Sequence, residues 1–155
     1  MTIRKATESD TERLLELLCE VLEIHHRARP DIFKSCATKY TEVELKSLLK
    51  DESRPIFVAE IDTRVVGYAF CMIKETVGDN ILHDTKTLYL DDLCVDSSER
   101  GGGIGSALWE HVTSFARKIG CYNVTLNVWS GNTNAEAFYE RLGLKPQKTL
   151  LEKIL

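Results

Sequence analysis

Two adjacent aspartates, Asp91 and Asp92, interrupt the apolar run Thr87 to Val95, which leads into the glycine-rich stretch Arg100-Gly-Gly-Gly-Ile-Gly105-Ser106. Aspartate is depleted in strands, and a buried carboxylate must be paired or shift its pKa, so this pair is a candidate for holding or moving a proton. The glycine stretch is a candidate anion site. A helix start leaves backbone N–H groups without partners and carries the positive end of the macrodipole. Glycine lets backbone approach a ligand closely, and Arg100 adds a permanent cation with forked donors. An ordinary strand-to-helix turn is the alternative. A third feature, His25-His26, could titrate near neutral pH or simply be solvated.

Two familiar phosphate loops do not fit. A Walker A loop requires Lys followed by Ser or Thr after its last glycine, where this chain has Ser106-Ala107. A Rossmann fingerprint starting at Gly101 or Gly103 would need its third glycine at Ser106 or Leu108.

The elements that must position these residues can be read from periodicity. A short strand, Thr2 to Ala6, precedes a helix that Ser9 and Glu12 cap by their spacing and that runs to about Ile24 on Leu14, Leu15, Leu17, Leu18, Val21 and Leu22. His25 to Phe33 has no clean period and contains Pro30, which implies a connection. Thr41 and Glu44 cap a second helix that stops near Asp51. Pro55 to Glu60 and Val65 to Ile73 should pair as a hairpin, with Asp62-Thr63-Arg64 between them. Glu75 to Asp84 is a polar turn before the strand Thr87 to Val95. The stripe Ile104, Leu108, Val112, Phe115 and Ile119 marks a central helix that Gly120 stops. A strand from Asn123 to Trp129 and a helix from about Thr133 to Leu142, with Gly143 as its C-cap, follow. Leu144 to Gln147 and Leu150 to Leu155 can add closing strands, although the last segment alone would pass as helix. Period 2 puts Asp91 with Tyr89 and Leu93, and Asp92 with Leu90 and Cys94, on opposite faces.

At 155 residues the chain is one domain's worth, with residues 1–155 read as a single unit. Its composition is 43% hydrophobic and 28% charged, and no apolar run reaches the roughly 18 residues of a membrane span. That argues against a membrane role. A net charge of -4 with no basic tract argues against nucleic acid. Five cysteines (Cys19, Cys36, Cys71, Cys94, Cys121) stand singly, without CxxC, and no signal region opens the chain, so a cytoplasmic location is expected. No Cys or His cluster suggests a metal. Cys71 and Cys94 read as small core residues.

The spacing Arg100-x-x-Gly103-x-Gly105 resembles the acyl-CoA loop of the GNAT superfamily of N-acetyltransferases. Some 30 residues further on, Asn132-x-x-Ala135-x-x-Phe138-Tyr139-x-x-x-Gly143-Leu144 resembles that family's second signature. The likeness covers nearly the whole chain. It implies an α/β (α+β) fold in which a mixed, twisted sheet opens between two parallel strands and is flanked by helices, with acetyl-CoA in the opening and coenzyme A as product. It further implies that main-chain groups of Leu93, Cys94 and Val95 pair with the pantetheine, that the amides from Arg100 through Gly101, Gly102, Gly103, Ile104, Gly105 and Ser106 hold the pyrophosphate, and that Asn132 touches the pantetheine arm. Gly102 departs from the Lys or Gln often found there.

Tyr139 matches the family's general acid, and a phenol with a pKa of about 10 stays protonated at neutral pH; an aromatic core anchor is its other reading. Where some members carry a Glu base, this chain has Asn127, which cannot accept the proton. Tyr89-Leu-Asp-Asp92 is similar to the Tyr-Leu-Glu-Asp of polyamine-type members, which makes Asp91 the first candidate base and Asp92 the second. Family architecture places the first two helices over the acceptor. Glu20, Glu23, His25, His26, Asp31 and Phe33 are therefore wall candidates, with Glu23, His26, Phe33, Asp91 and Asp92 foremost. The acceptor expected is a small-molecule amine, a di- or polyamine or another small cation, with a protein lysine or N-terminus as alternatives. A catalytically silent acyl-CoA module is a further reading, and a homodimer is compatible with the family.

Overall fold

The structure, a computed structural model, describes residues 1–35 and 37–155; Cys36 lies outside the described residues. Strand β1 (Thr2–Lys5) is followed by a 3-10 turn (Glu8–Asp10), helix α1 (Thr11–Ala28) and helix α2 (Glu42–Leu48). Strands β2 (Ile56–Ile61), β3 (Arg64–Thr76) and β4 (Thr85–Val95) precede a second 3-10 turn (Ser97–Glu99) and helix α3 (Ile104–Lys118). Strand β5 (Asn123–Leu126) and helix α4 (Thr133–Arg141) complete the order. The sheet runs β1-β2-β3-β4-β5, with every pairing antiparallel except β4 with β5.

The two sheet faces carry different helices. Leu14, Leu17 and Leu18 of α1 and Leu45 and Leu48 of α2 pack with Val58, Tyr68, Phe70 and Cys94 on one side. Ile104, Leu108, Val112 and Ala116 of α3 pack with Ala59, Val66, Ala69, Leu88 and Leu90 on the other. The β2–β3 hairpin closes on two residues, Asp62 and Thr63, both at positive φ, as a twist-matched type I′ connection requires. Among the described residues no helix is long and apolar enough to cross a membrane.

Three local expectations differ from what is found. The first cap is made by Thr7 and Asp10, not Ser9 and Glu12: the Thr7 amide and hydroxyl both donate to the Asp10 carboxylate, at 2.8 and 3.0 Å, while Arg4 holds it from the far side. Helix α1 continues four residues past Ile24, because the Arg29 amide can still donate to the His25 carbonyl before Pro30 ends the turn. Residues 144–155 form neither strand. Leu150, Leu151, Ile154 and Leu155 stand exposed, and the segment is tied to the body by the ion pair from Glu152 to Arg29 at 2.7 Å. Apolar residues are only half of a strand; the other half is an edge to pair with, and β5 ends at Leu126 without taking this segment.

Candidate active site

Strands β4 and β5 pair only from Thr87–Asn123 to Leu90–Leu126. Beyond that point β4 keeps β3 on one edge as far as Val95, while its other edge, from Asp91 through Leu93, Cys94 and Val95, has no strand beside it among the described residues. The expected opening between the parallel strands is therefore present. Free strand-edge groups of this kind suit an extended ligand that pairs as a strand would. Val128 and Trp129 lie outside β5. Asn127, just past the strand, donates from Nδ2 to the Tyr89 hydroxyl at 3.0 Å.

At the end of β4 the chain is held before it reaches the glycines. The buried Asp96 accepts from the amide and hydroxyl of Ser98, at 2.9 and 2.7 Å, and pairs with Arg64 at 2.7 Å and with Arg13 of α1. Those bonds and charges lower its pKa to about 2. Arg100 turns back, its Nε donating to the Val95 carbonyl at 3.2 Å. Gly101 and Gly103 adopt φ of 85° and 79°, a left-handed conformation that favours glycine. The first bond of α3 runs from the Ala107 amide to the Gly103 carbonyl, which leaves the amides of Ile104, Gly105 and Ser106 without helical acceptors. This is a cradle that fits a pyrophosphate. Gly105 has a different reason to be glycine: a Cβ there would meet the Phe138 ring at 3.3 Å, so α3 and α4 touch at that point.

The two aspartates do not alternate as simple period 2 requires. Phe70 pairs with Asp92 but Cys71 pairs with Leu90, so Asp91 is an extra residue in β4, a bulge. Residues opposite one another in a sheet share a face. Leu90 and Cys71 therefore belong to the α3 side, while Asp92 joins Phe70 on the side of α1 and α2, as Cys94 does opposite Tyr68. Leu90 and Cys94 thus lie on opposite faces, which corrects the expected parity. Both carboxylates meet groups from the α1–α2 side. Asp91 pairs with Lys39 at 2.8 Å, and Asp92 accepts from the Tyr68 hydroxyl at 3.1 Å. Burial raises the pKa of Asp92, opposed by the charge of Lys39, the Tyr68 bond and His25.

Tyr139 packs with Trp109 and Phe138, and burial together with the Asp92 charge keeps its phenol strongly protonated. Asn132 uses its side chain to cap α4, accepting from the Ala135 amide at 3.2 Å. Of the histidines, His26 is committed elsewhere: its Nδ1 lies 2.7 Å from the Phe33 carbonyl oxygen. His25 is the one exposed to the charge of Asp92, with burial lowering its pKa, and it stacks on Phe33 at 5.0 Å. Phe33 also meets Trp129 edge-on at 5.1 Å, which joins the α1–α2 connection to the segment that follows β5. Asp31 pairs outward with Arg29 at 2.8 Å. Glu20 and Glu23 lie on α1, Glu23 half-buried. Cys94 contributes its thiol to the core beside the Leu17 carbonyl, its pKa pushed up to about 12 by burial, so only its main chain can serve a ligand.

Sequence reading did not single out Lys39, Tyr68 or Trp129. Tyr68 sits in an uninterrupted apolar run, and Lys39 in a connection without period. Neither carries a local signal. Among the described residues no group of three or more His, Cys, Asp or Glu side chains is placed to hold a metal ion.

A half-open mixed sheet with an anion cradle at the head of its central helix defines a class of acyl-transfer proteins. A model of the acetyltransferase (GNAT) family matches residues 18–144, and the chain belongs to that family, whose members are acyltransferases. It is similar to a glucosamine 6-phosphate N-acetyltransferase of Trypanosoma brucei brucei, 30% identical over 152 residues, covering 94% of this chain and 89% of the relative. An N-acetyltransferase of Methanocaldococcus jannaschii is 28% identical over 149 residues; the match covers 96% of this chain but only 62% of that protein. Among solved structures, a mutant of a Bacillus halodurans protein matches with a TM-score of 0.96 at 31% identity, covering 100% of this chain and 99% of the other.

Proposed function

We propose that the chain moves an acetyl group from acetyl-CoA to a primary amine by direct attack in a ternary complex, with Asp92 as base and Tyr139 as acid. When bound, the donor supplies an activated thioester. The observation that carries this reading is the electrostatic pairing of the two side chains: Asp92, its pKa raised by burial, faces the acceptor side, and its charge helps keep the Tyr139 phenol protonated. Burial raises both groups, but a carboxyl starts from about 4 and a phenol from about 10, so Asp92 is the group able to accept a proton and Tyr139 the one able to donate. Asp92 takes a proton from the acceptor ammonium, and the freed nitrogen attacks the thioester carbon. With the donor bound, Tyr139 would give its proton to the sulfur as the carbon–sulfur bond breaks and take back the second proton of the nitrogen, so that the amide and the thiol form, the phenol is restored and Asp92 releases its proton to solvent. Asp91, the first candidate from sequence, serves this reading less well because Lys39 already neutralises it.

Two carboxylates beside the rings of His25, Phe33, Tyr40 and Tyr89 support a small cationic acceptor, a di- or polyamine foremost, with a protein lysine or N-terminus as the alternative. The trypanosomal relative adds an amino sugar phosphate to the panel. The experiment is thiol release from acetyl-CoA with diamines, polyamines, aminoglycosides, amino acids, peptides and glucosamine 6-phosphate. Tyr139→Phe is expected to lower kcat by about 10²–10⁴-fold with acetyl-CoA affinity retained. Asp92 must be ionised to act, and its pKa is raised, so kcat/KM climbs with pH through a limb above the ordinary carboxylate value of about 4, and Asp92→Asn abolishes that limb.

A second reading, an acyl-CoA binding module without turnover, draws on Asn127, which occupies a family base position and spends its amide on Tyr89. Tight acetyl-CoA binding with no thiol release across the panel would establish it and overturn the first.

A further inference from the structure

Within the acetyl-transfer reading, the acceptor site already contains a cation of its own. Lys39, in the connection between α1 and α2, places Nζ 2.8 Å from Asp91 Oδ2, and the charges of Asp91 and Asp92 both favour its ammonium form. Its neighbour fixes it there. Tyr40 stacks on Phe70 at 5.9 Å with 16° between the rings, and Phe70 is the residue that pairs with Asp92 across the sheet. The Lys39 ammonium also lies 5.8 Å from the Tyr40 ring centroid. Because the bulge turns both aspartates toward α1 and α2, a lysine paired with Asp91 on that side also acts on Asp92 through its charge.

We propose that Lys39 is a specificity-determining residue: its ammonium occupies Asp91 as an internal stand-in for a substrate cation, leaving Asp92 for the reacting amine. A monoamine needs only Asp92 and leaves Lys39 in place. A diamine has a second ammonium that competes with Lys39 for Asp91. The ion pair is placed to yield, since 38% of the Lys39 side chain and 21% of the Asp91 side chain are exposed, and pairs open to solvent are weak. Among the described residues Asp92 makes no ion pair, and its hydrogen bond from Tyr68 adds no charge. Lys39 therefore lowers the site's affinity for dications selectively, and a change at this one position shifts the acceptor range without touching either proton-transfer group.

The displacement is a binding event, so calorimetric titration of putrescine and butylamine into the full chain, without acyl donor, reads it independently of turnover. Lys39→Met keeps an unbranched stem and removes the charge; it is expected to tighten putrescine by about tenfold, the scale of a hydrogen bond to a charged group, and to shift butylamine, which Lys39 reaches only through its charge on Asp92, by clearly less. Lys39→Arg should keep the wild-type difference, and Lys39→Gln repeats the test should the methionine variant fold poorly. Putrescine binding that is unchanged or weaker in the neutral variants, or an equal shift for both amines, overturns the proposal. Acetyl-CoA is then added to the same samples. Selective tightening without acetylation sinks the transfer reading alone, whereas acetylation without selective tightening sinks the role of Lys39 alone.

Discussion

Gly105 separates two explanations for a glycine in an anion loop, close ligand approach and close packing. A Cβ built there meets Phe138 Cζ at 3.3 Å and Cε2 at 3.4 Å. Ordinary carbon contacts lie at about 3.5–4.0 Å, so the ring must retreat by a few tenths of an ångström. Phe138 cannot simply swing away, because it meets Tyr139 edge-on at 5.0 Å, which itself packs on Trp109 at 6.1 Å. Overpacking of this kind costs about 1–3 kcal/mol, and the small displacement puts it near the lower end. Against it stands the gain of replacing glycine inside a helix, about 0.5–1 kcal/mol. Gly105→Ala should therefore destabilise the chain by up to about 1 kcal/mol, whereas in a Phe138→Leu background, with the ring gone, the same change should be neutral or stabilising. Urea unfolding of the four proteins gives the coupling energy, expected at about 1–2 kcal/mol. An equal cost of Gly105→Ala in both backgrounds would refute the packing argument. Acetyl-CoA affinity supplies the complementary reading: a loss that persists in the double variant assigns the glycine to phosphate approach instead.

Two further outcomes can be measured on the same loop. Asp96 has its pKa lowered from 3.8 to about 2, so the stability it contributes is present above about pH 4 and is lost as pH falls through 2; at one unit per 1.36 kcal/mol it amounts to about 2 kcal/mol. Asp96→Asn should be less stable by that amount at neutral pH, with the gap closing toward pH 2 in acid unfolding, and should raise the KM for acetyl-CoA because Arg13 and Arg64 no longer anchor the loop. Gly102 does not sit at positive φ, and a Cβ there meets only the Glu99 carbonyl, at an ordinary 3.5 Å. Gly102→Ala should raise stability by about 0.4–1 kcal/mol in thermal unfolding, through the unfolded state, with acetyl-CoA affinity kept; a loss in either would contradict the geometry.

Much of this molecule was legible locally. The stripe Ile104, Leu108 and Val112 packs as one face of α3, Thr41 and Glu44 do cap α2, and the arginine–glycine spacing falls at the head of a helix, as the family resemblance implied. These are short-range matters: helix periodicity, a cap and a left-handed glycine each depend on residues within a turn of one another. The acceptor side was not legible in the same way. Whether Asp91 and Asp92 face together turns on one extra residue in the pairing with β3, and register belongs to two strands, not to either sequence alone. Lys39 stands 52 residues from Asp91, and His25 rather than His26 meets the charge of Asp92 because α1 runs one more turn than its apolar period shows. The closing strands are absent for the same reason, since Leu150 to Leu155 is apolar enough to pack but finds no edge to pair with. Local chemistry thus marks the proposed donor loop, whereas contacts between distant segments assemble the proposed acceptor site, because charge and register depend on what the fold brings opposite.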